Sequence, residues 1–99
     1  MQTQTRKTFT LGQIVSTPGA IELLKECKQT PLEFLARHIQ CDWSECNPDD
    51  AKLNEQALED HSRIMSVYKT SNGEKLWIVT EIIDEDGNFA TTLLLPSEW

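Results

Sequence analysis

His38, Cys41 and Cys46 lie close together in the chain, with Cys27 before them and His61 after. Imidazole and thiolate are the side chains zinc prefers, and a His-x-x-Cys step at a helix end supplies part of a tetrahedral set. The second knuckle is missing and the remaining spacings are irregular. The residues therefore raise a metal site without defining one, and no cofactor is expected. The same side chains raise thiol chemistry, with Cys41 or Cys27 activated by His38 or His61. No catalytic signature surrounds either cysteine. The competing expectation is a buried thiol acting as a small hydrophobe, with His38 on the polar edge of a helix and His61 in a loop. Three cysteines without a C-x-x-C pair fit reduced thiols in the cytoplasm better than a disulfide framework.

The carboxylates offer a second chemistry. Asp84-Glu85-Asp86-Gly87-Asn88 has some of the composition of a calcium loop but not its alternating ligands or its closing bidentate glutamate, so an acidic hairpin turn is expected there. Residues 41–60 hold seven of the sixteen acidic residues and a single lysine, within a net charge of −7. Asp42, Glu45, Asp49, Asp50, Glu55, Glu59 and Asp60 could imitate a row of phosphates, or could be a solvated helix face with capping aspartates. The sign of the charge excludes direct grip on nucleic-acid phosphates. It equally excludes a membrane role through a basic face. No apolar run is long enough to cross a bilayer and none follows the N-terminus, so a cytoplasmic protein is expected.

The elements that must hold these residues are legible in the caps and turns. With 99 residues the chain fits one domain, expected over residues 8–99 behind a disordered tail at 1–7. Phe9 to Val15 reads as a short strand or an extended lead-in. Thr17-Pro18 opens a first helix, since Thr caps free N–H groups and Pro at the first helical position loses no bond. Thr30-Pro31-Leu32-Glu33 opens a second with the pattern of a capping box, burying Leu32, Phe34, Leu35 and Ile39. Asn47-Pro48 opens a third, with Leu53, Ala57 and Leu58 inward. A loop is expected at Cys41 to Cys46. After residue 62 the period changes to that of strands: Arg63 to Thr70, Lys75 to Ile83 and Phe89 to Leu95, the last stopped by Pro96. The expected fold is α+β: a three-stranded antiparallel β-meander in the C-terminal half, packed against two to three N-terminal helices, with the short N-terminal strand as an addition.

Asn72-Gly73 between two strand patterns predicts a two-residue hairpin loop. Ser71 would then pair with Glu74, Val67 with Ile78, Met65 with Thr80 and Tyr68 with Trp77. Met65, Val67, Leu76, Ile78, Ile82, Leu93 and Leu95 would lie beneath the helices. Ile64, Tyr68, Trp77, Val79 and Leu94 would lie on the opposite face, mixed with Ser66, Glu81 and Thr92. That second face is more apolar than a solvated antiparallel sheet normally shows. Either Phe9, Leu11 or Trp99 covers it, or it is a partner surface, where aromatic side chains concentrate. Tyr68, Trp77, Val79 and Leu94 are the candidate partner-binding residues.

Three stretches carry a resemblance: Phe9 to Ala20, Pro31 to His38, and Thr91 to Trp99. With Asn54-Glu55, Arg63-Ile64 and Trp77 to Glu81, they resemble a family of short, uncharacterised bacterial proteins found on plasmids and mobile elements and loosely labelled plasmid-related. The resemblance covers nearly the whole chain. It implies a bacterial cytosolic accessory protein and transfers no catalytic residue. The expected function is therefore a small non-enzymatic interaction protein of the bacterial accessory genome, binding a protein partner or itself as a homodimer through a sheet face. The alternatives are an acidic nucleic-acid mimic that inhibits a DNA- or RNA-handling enzyme, and a thiol- or metal-dependent enzyme.

Overall fold

The computed structural model describes residues 11–60, 62–83 and 85–98. The tail expected at 1–7, and the parts assigned to Phe9, His61, Asp84 and Trp99, lie outside the described residues.

Helix α1 (Pro18–Cys27) starts where Thr17 Oγ1 accepts the Ala20 N–H at 3.2 Å. It ends on Lys28 in the left-handed region (φ 57°), with the Lys28 and Gln29 amides returning to the Leu24 and Lys25 carbonyls. Helix α2 (Pro31–Ile39) starts as expected, but its capping box does not form. The Thr30 side chain makes no cap bond, and Glu33 accepts from Gln29 Nε2 instead, at 2.9 Å. Helix α3 (Pro48–Asp60) is capped reciprocally: Asn47 Oδ1 accepts the Asp50 N–H, and Asn47 Nδ2 donates to the Asp50 carboxylate.

Strands β1 (Gln13–Ser16), β2 (Ile64–Lys69), β3 (Lys75–Ile82) and β4 (Phe89–Leu94) form one sheet in the order β1-β4-β3-β2. The fold is α+β. The sheet is not the purely antiparallel meander expected, because β1 joins as a fourth strand parallel to β4. Gly12 permits this. Its φ is +65°, and a Cβ there would sit 1.9 Å from the Phe89 carbonyl oxygen, so only glycine lets the chain approach β4 at that point.

The β2–β3 register also differs from expectation. Val67 pairs with Trp77, Tyr68 with Leu76 and Met65 with Val79. The loop has three residues, Ser71-Asn72-Gly73, because Thr70 N donates to Glu74 O and Gly73 N donates to Thr70 O. A two-residue loop of the expected kind needs positive φ at both Asn72 and Gly73, and only Gly73 has it (φ 86°). Asn72 spends its side chain instead on the Thr70 hydroxyl and the Glu74 amide. One extra loop residue turns every β2 side chain to the other face relative to β3. Leu76, Ile78 and Leu93 do lie beneath the helices, but Ile64, Ser66 and Tyr68 join them there in place of Met65 and Val67.

Two apolar clusters fill the space between helices and sheet. One joins Ala20, Leu24, Phe34 and Leu35 to Tyr68, Leu76, Ile78 and Leu93. The other joins Cys41, Trp43 and Ala57 to Ile64, so the expected loop at 41–46 carries core side chains. Leu32 and Leu53, expected inward, are exposed at 74% and 61%; His38 and Asn54 take inward positions instead.

Candidate functional site

His38 is fully buried. Its Nδ1 lies 2.5 Å from Ser66 Oγ on β2, and its Nε2 lies 2.9 Å from Thr80 Oγ1 on β3. Thr80 Oγ1 is 2.7 Å from Thr91 Oγ1 on β4, and Thr91 donates to the Leu11 carbonyl at 2.6 Å. A carbonyl can only accept, so the direction of the row follows. Thr91 spends its proton on Leu11, Thr80 then donates to Thr91, and His38 Nε2–H donates to Thr80. Nδ1 is left to accept from the Ser66 hydroxyl. Burial pushes His38 down to about 4, so the ring is neutral at physiological pH. This is a stitch between α2 and three strands, with both ring nitrogens engaged and away from solvent.

The cysteines do not join His38. Cys41 belongs to the cluster around Trp43 and Ile64. Cys46 Sγ donates to the Met65 carbonyl at 3.8 Å, and burial pushes its thiol up, away from the reactive thiolate. Among the described residues, no group of three or more His, Cys, Asp or Glu side chains is placed to hold a metal ion. Much of the acidic segment is used internally. Arg37 donates to Asp42 at 2.7 Å and to Glu45 at 3.0 Å, Asp50 completes the α3 cap, and Asp60 accepts from Ser62.

The four candidate partner-binding residues divide. Tyr68 lies under the helices, where its ring meets Phe34 at 5.9 Å between centroids and the Arg37 guanidinium at 4.4 Å. Its hydroxyl donates to the Asp42 carbonyl, and burial pushes the phenol up to about 12. Trp77, Val79 and Leu94 do share the opposite face, with Val67 and Met65 beside them in place of Tyr68. Val79 and Leu94 are themselves buried, and Trp77 is half-buried.

The two edges of the sheet separate more sharply than its faces. On the outer side of β2, Asn54 binds Met65 twice: Nδ2 donates to its carbonyl at 2.7 Å and Oδ1 accepts its N–H at 3.0 Å. Glu45 Oε1 accepts the Lys69 N–H at 2.8 Å, and the Cys46 thiol adds a bond to the Met65 carbonyl. Side chains from α3 and the 41–46 loop thus occupy the positions a neighbouring strand would take. The outer side of β1 has no such cover among the described residues. Thr17 N donates to Leu93 O, so by alternation Gln13 and Val15 also point their backbone groups toward β4, and Ile14 and Ser16 point theirs outward. The side chains of Ile14 and Val15 are exposed at 48% and 44%, one on each face. Sequence reasoning missed this site. Its signal was a short run rich in β-branched residues, Gln13-Ile14-Val15-Ser16, without the charge or proline that usually guards an edge.

The chain was compared with protein-family models, with curated proteins and with solved structures, and none matched.

Proposed function

We propose that this chain is a non-enzymatic interaction protein that binds by accepting an extended segment of a protein partner, or a second copy of itself, as a further strand beside β1. The observation that carries this is the contrast between the edges. Capped along β2, the sheet presents exposed β-branched side chains and outward backbone groups along β1. Strand addition draws affinity from main-chain hydrogen bonds and specificity from alternate side chains. The added strand would extend the face carrying Val15 and Trp77 on one side and the face carrying Ile14 on the other. Placing this binding in the bacterial accessory genome is supported by the sequence resemblance to short plasmid-related proteins. No helix among the described residues is long and apolar enough to cross a membrane.

The test is amide hydrogen exchange on the purified chain, alone and with a partner captured from a bacterial lysate. The Ile14 and Ser16 amides should exchange quickly in the chain alone and become protected in the complex. Protection confined to α3 would favour an acidic mimic instead. Protection confined to the strands around Trp77 would return the binding surface to the sheet face. Either result would sink strand addition.

A further inference from the structure

We infer that the β1 edge takes an extended peptide whose apolar centre is flanked by Lys or Arg, in preference to a second copy of this chain. The inference rests on the strand-addition reading above and names the class of partner it implies.

The charge around β1 decides between the two occupants. The strand itself is uncharged, and its exposed Ile14 and Val15 call for apolar or β-branched neighbours on an added strand. Among the described residues, carboxylates stand at both of its ends. Because β1 runs parallel to β4, its first residue lies at the end of the sheet where β3 turns into β4, and Glu85 and Asp86 belong to that turn. At its other end Thr17 donates to the Glu98 carboxylate, and Glu22 stands exposed on the helix that follows. Arg63, Lys69 and Lys75 lie on the β2–β3 side of the sheet. With strands about 4.8 Å apart, those cations are roughly a screening length or more from the β1 edge at physiological salt.

A second copy pairing antiparallel through β1 must be related by a two-fold axis normal to the sheet. That axis sets the Glu85–Asp86 turn of one copy beside Glu22 and Glu98 of the other, twice over. Each copy also carries a net charge of −7. Like charges brought together in this way oppose association. A strand with a cation at each end meets the negative potential of these ends favourably, while its centre makes the same backbone bonds to Ile14 and Ser16.

The probes are labelled peptides Lys-Ile-Thr-Val-Thr-Lys, its Glu-flanked and Ser-flanked counterparts, and an N-methylated Lys-flanked form that cannot complete a ladder. Each is titrated into the full chain by fluorescence anisotropy at low and high salt, with backbone amide shifts recorded in parallel. The Lys-flanked peptide should bind at least about tenfold tighter than the Glu-flanked one at low salt. The gap should narrow as salt screens it, and N-methylation should abolish binding. The Ile14 and Ser16 amides should shift most. Equal binding of all three flanked peptides, with Ile14 and Ser16 still shifting, would overturn the charge class and leave strand addition standing. No shift at Ile14 and Ser16 with any peptide would overturn both. Concentration-dependent dimerisation by light scattering, with β1 amides protected in the chain alone, would make the second copy the occupant and sink the inference.

Discussion

At the scale of single residues, His38 determines how the protein answers acid. Its folded pKa, about 4, lies below the ordinary 6.5 because burial disfavours the charged ring. Between those values the unfolded chain binds a proton that the folded chain does not. The stability this provides is fully present above pH 6.5 and is lost as pH falls toward 4. The loss should total about 3 kcal/mol, a substantial part of the stability of a domain this small. Urea midpoints measured from pH 7 to pH 4 should show it. A His38→Gln variant should be less stable at pH 7 but flatter across that window; a slope unchanged by the substitution would sink the account. The proton count along the hydroxyl row makes a second, independent demand. Nitrogen-15 shifts should place the His38 proton on Nε2 across the neutral range. Thr80→Val, which strands that N–H and removes the donor to Thr91, should cost about 1–3 kcal/mol and perturb the ring shifts. None of this was visible in the sequence, because His38 looks like any polar residue on an amphipathic helix. Only the register reveals Ser66, Thr80 and Thr91 beneath it.

Among the elements, local signals and tertiary demands can be told apart. The Thr17-Pro18, Thr30-Pro31 and Asn47-Pro48 starts all begin helices, because an orphaned amide at a helix start is answered by neighbours in sequence. What the caps bond to was less legible: Glu33 turned to Gln29, and α1 gained a partner from the far end of the chain. The Glu98 carboxylate accepts from Thr17 Oγ1 and from the Gly19 N–H, and a Cβ at Gly19 would meet that carboxylate at 2.5 Å. The final 3₁₀ turn (Pro96–Glu98) thus anchors the start of α1. At the other end of α1, Lys28 holds a left-handed conformation that glycine adopts at little cost. Lys28→Gly should therefore stabilise the protein by roughly 0.5–1 kcal/mol. Thermal denaturation at two pH values checks this, and a drop in melting temperature would refute it. The β2–β3 loop shows the reverse case. Its location was readable from Asn72-Gly73, but its length depended on whether Asn72 used positive φ or its side chain.

For the molecule as a whole, the two edges of the sheet differ in how they are covered. An uncovered strand edge is a template for further pairing, and the chain guards one edge with Asn54, Cys46 and Glu45. Asn54→Leu should leave the Met65 N–H without its partner and its carbonyl with the Cys46 thiol alone. We expect a loss of about 1–3 kcal/mol together with concentration-dependent association by light scattering at high salt, where the repulsion from the −7 charge is screened. A destabilised variant that stays monomeric would show that the β2 cap serves stability alone.

The sequence alone determined the class of the fold, the helix starts, the strand segments and the acidic balance, because each rests on residues adjacent in the chain or on composition. The tertiary structure alone decided the faces. A single loop residue changes the parity of β2, moving Tyr68 under the helices and bringing the Ser66 hydroxyl to His38 beside Thr80. It also decided which edge is covered, because that depends on where α3 and the 41–46 loop come to rest against the sheet, and no local pattern encodes it.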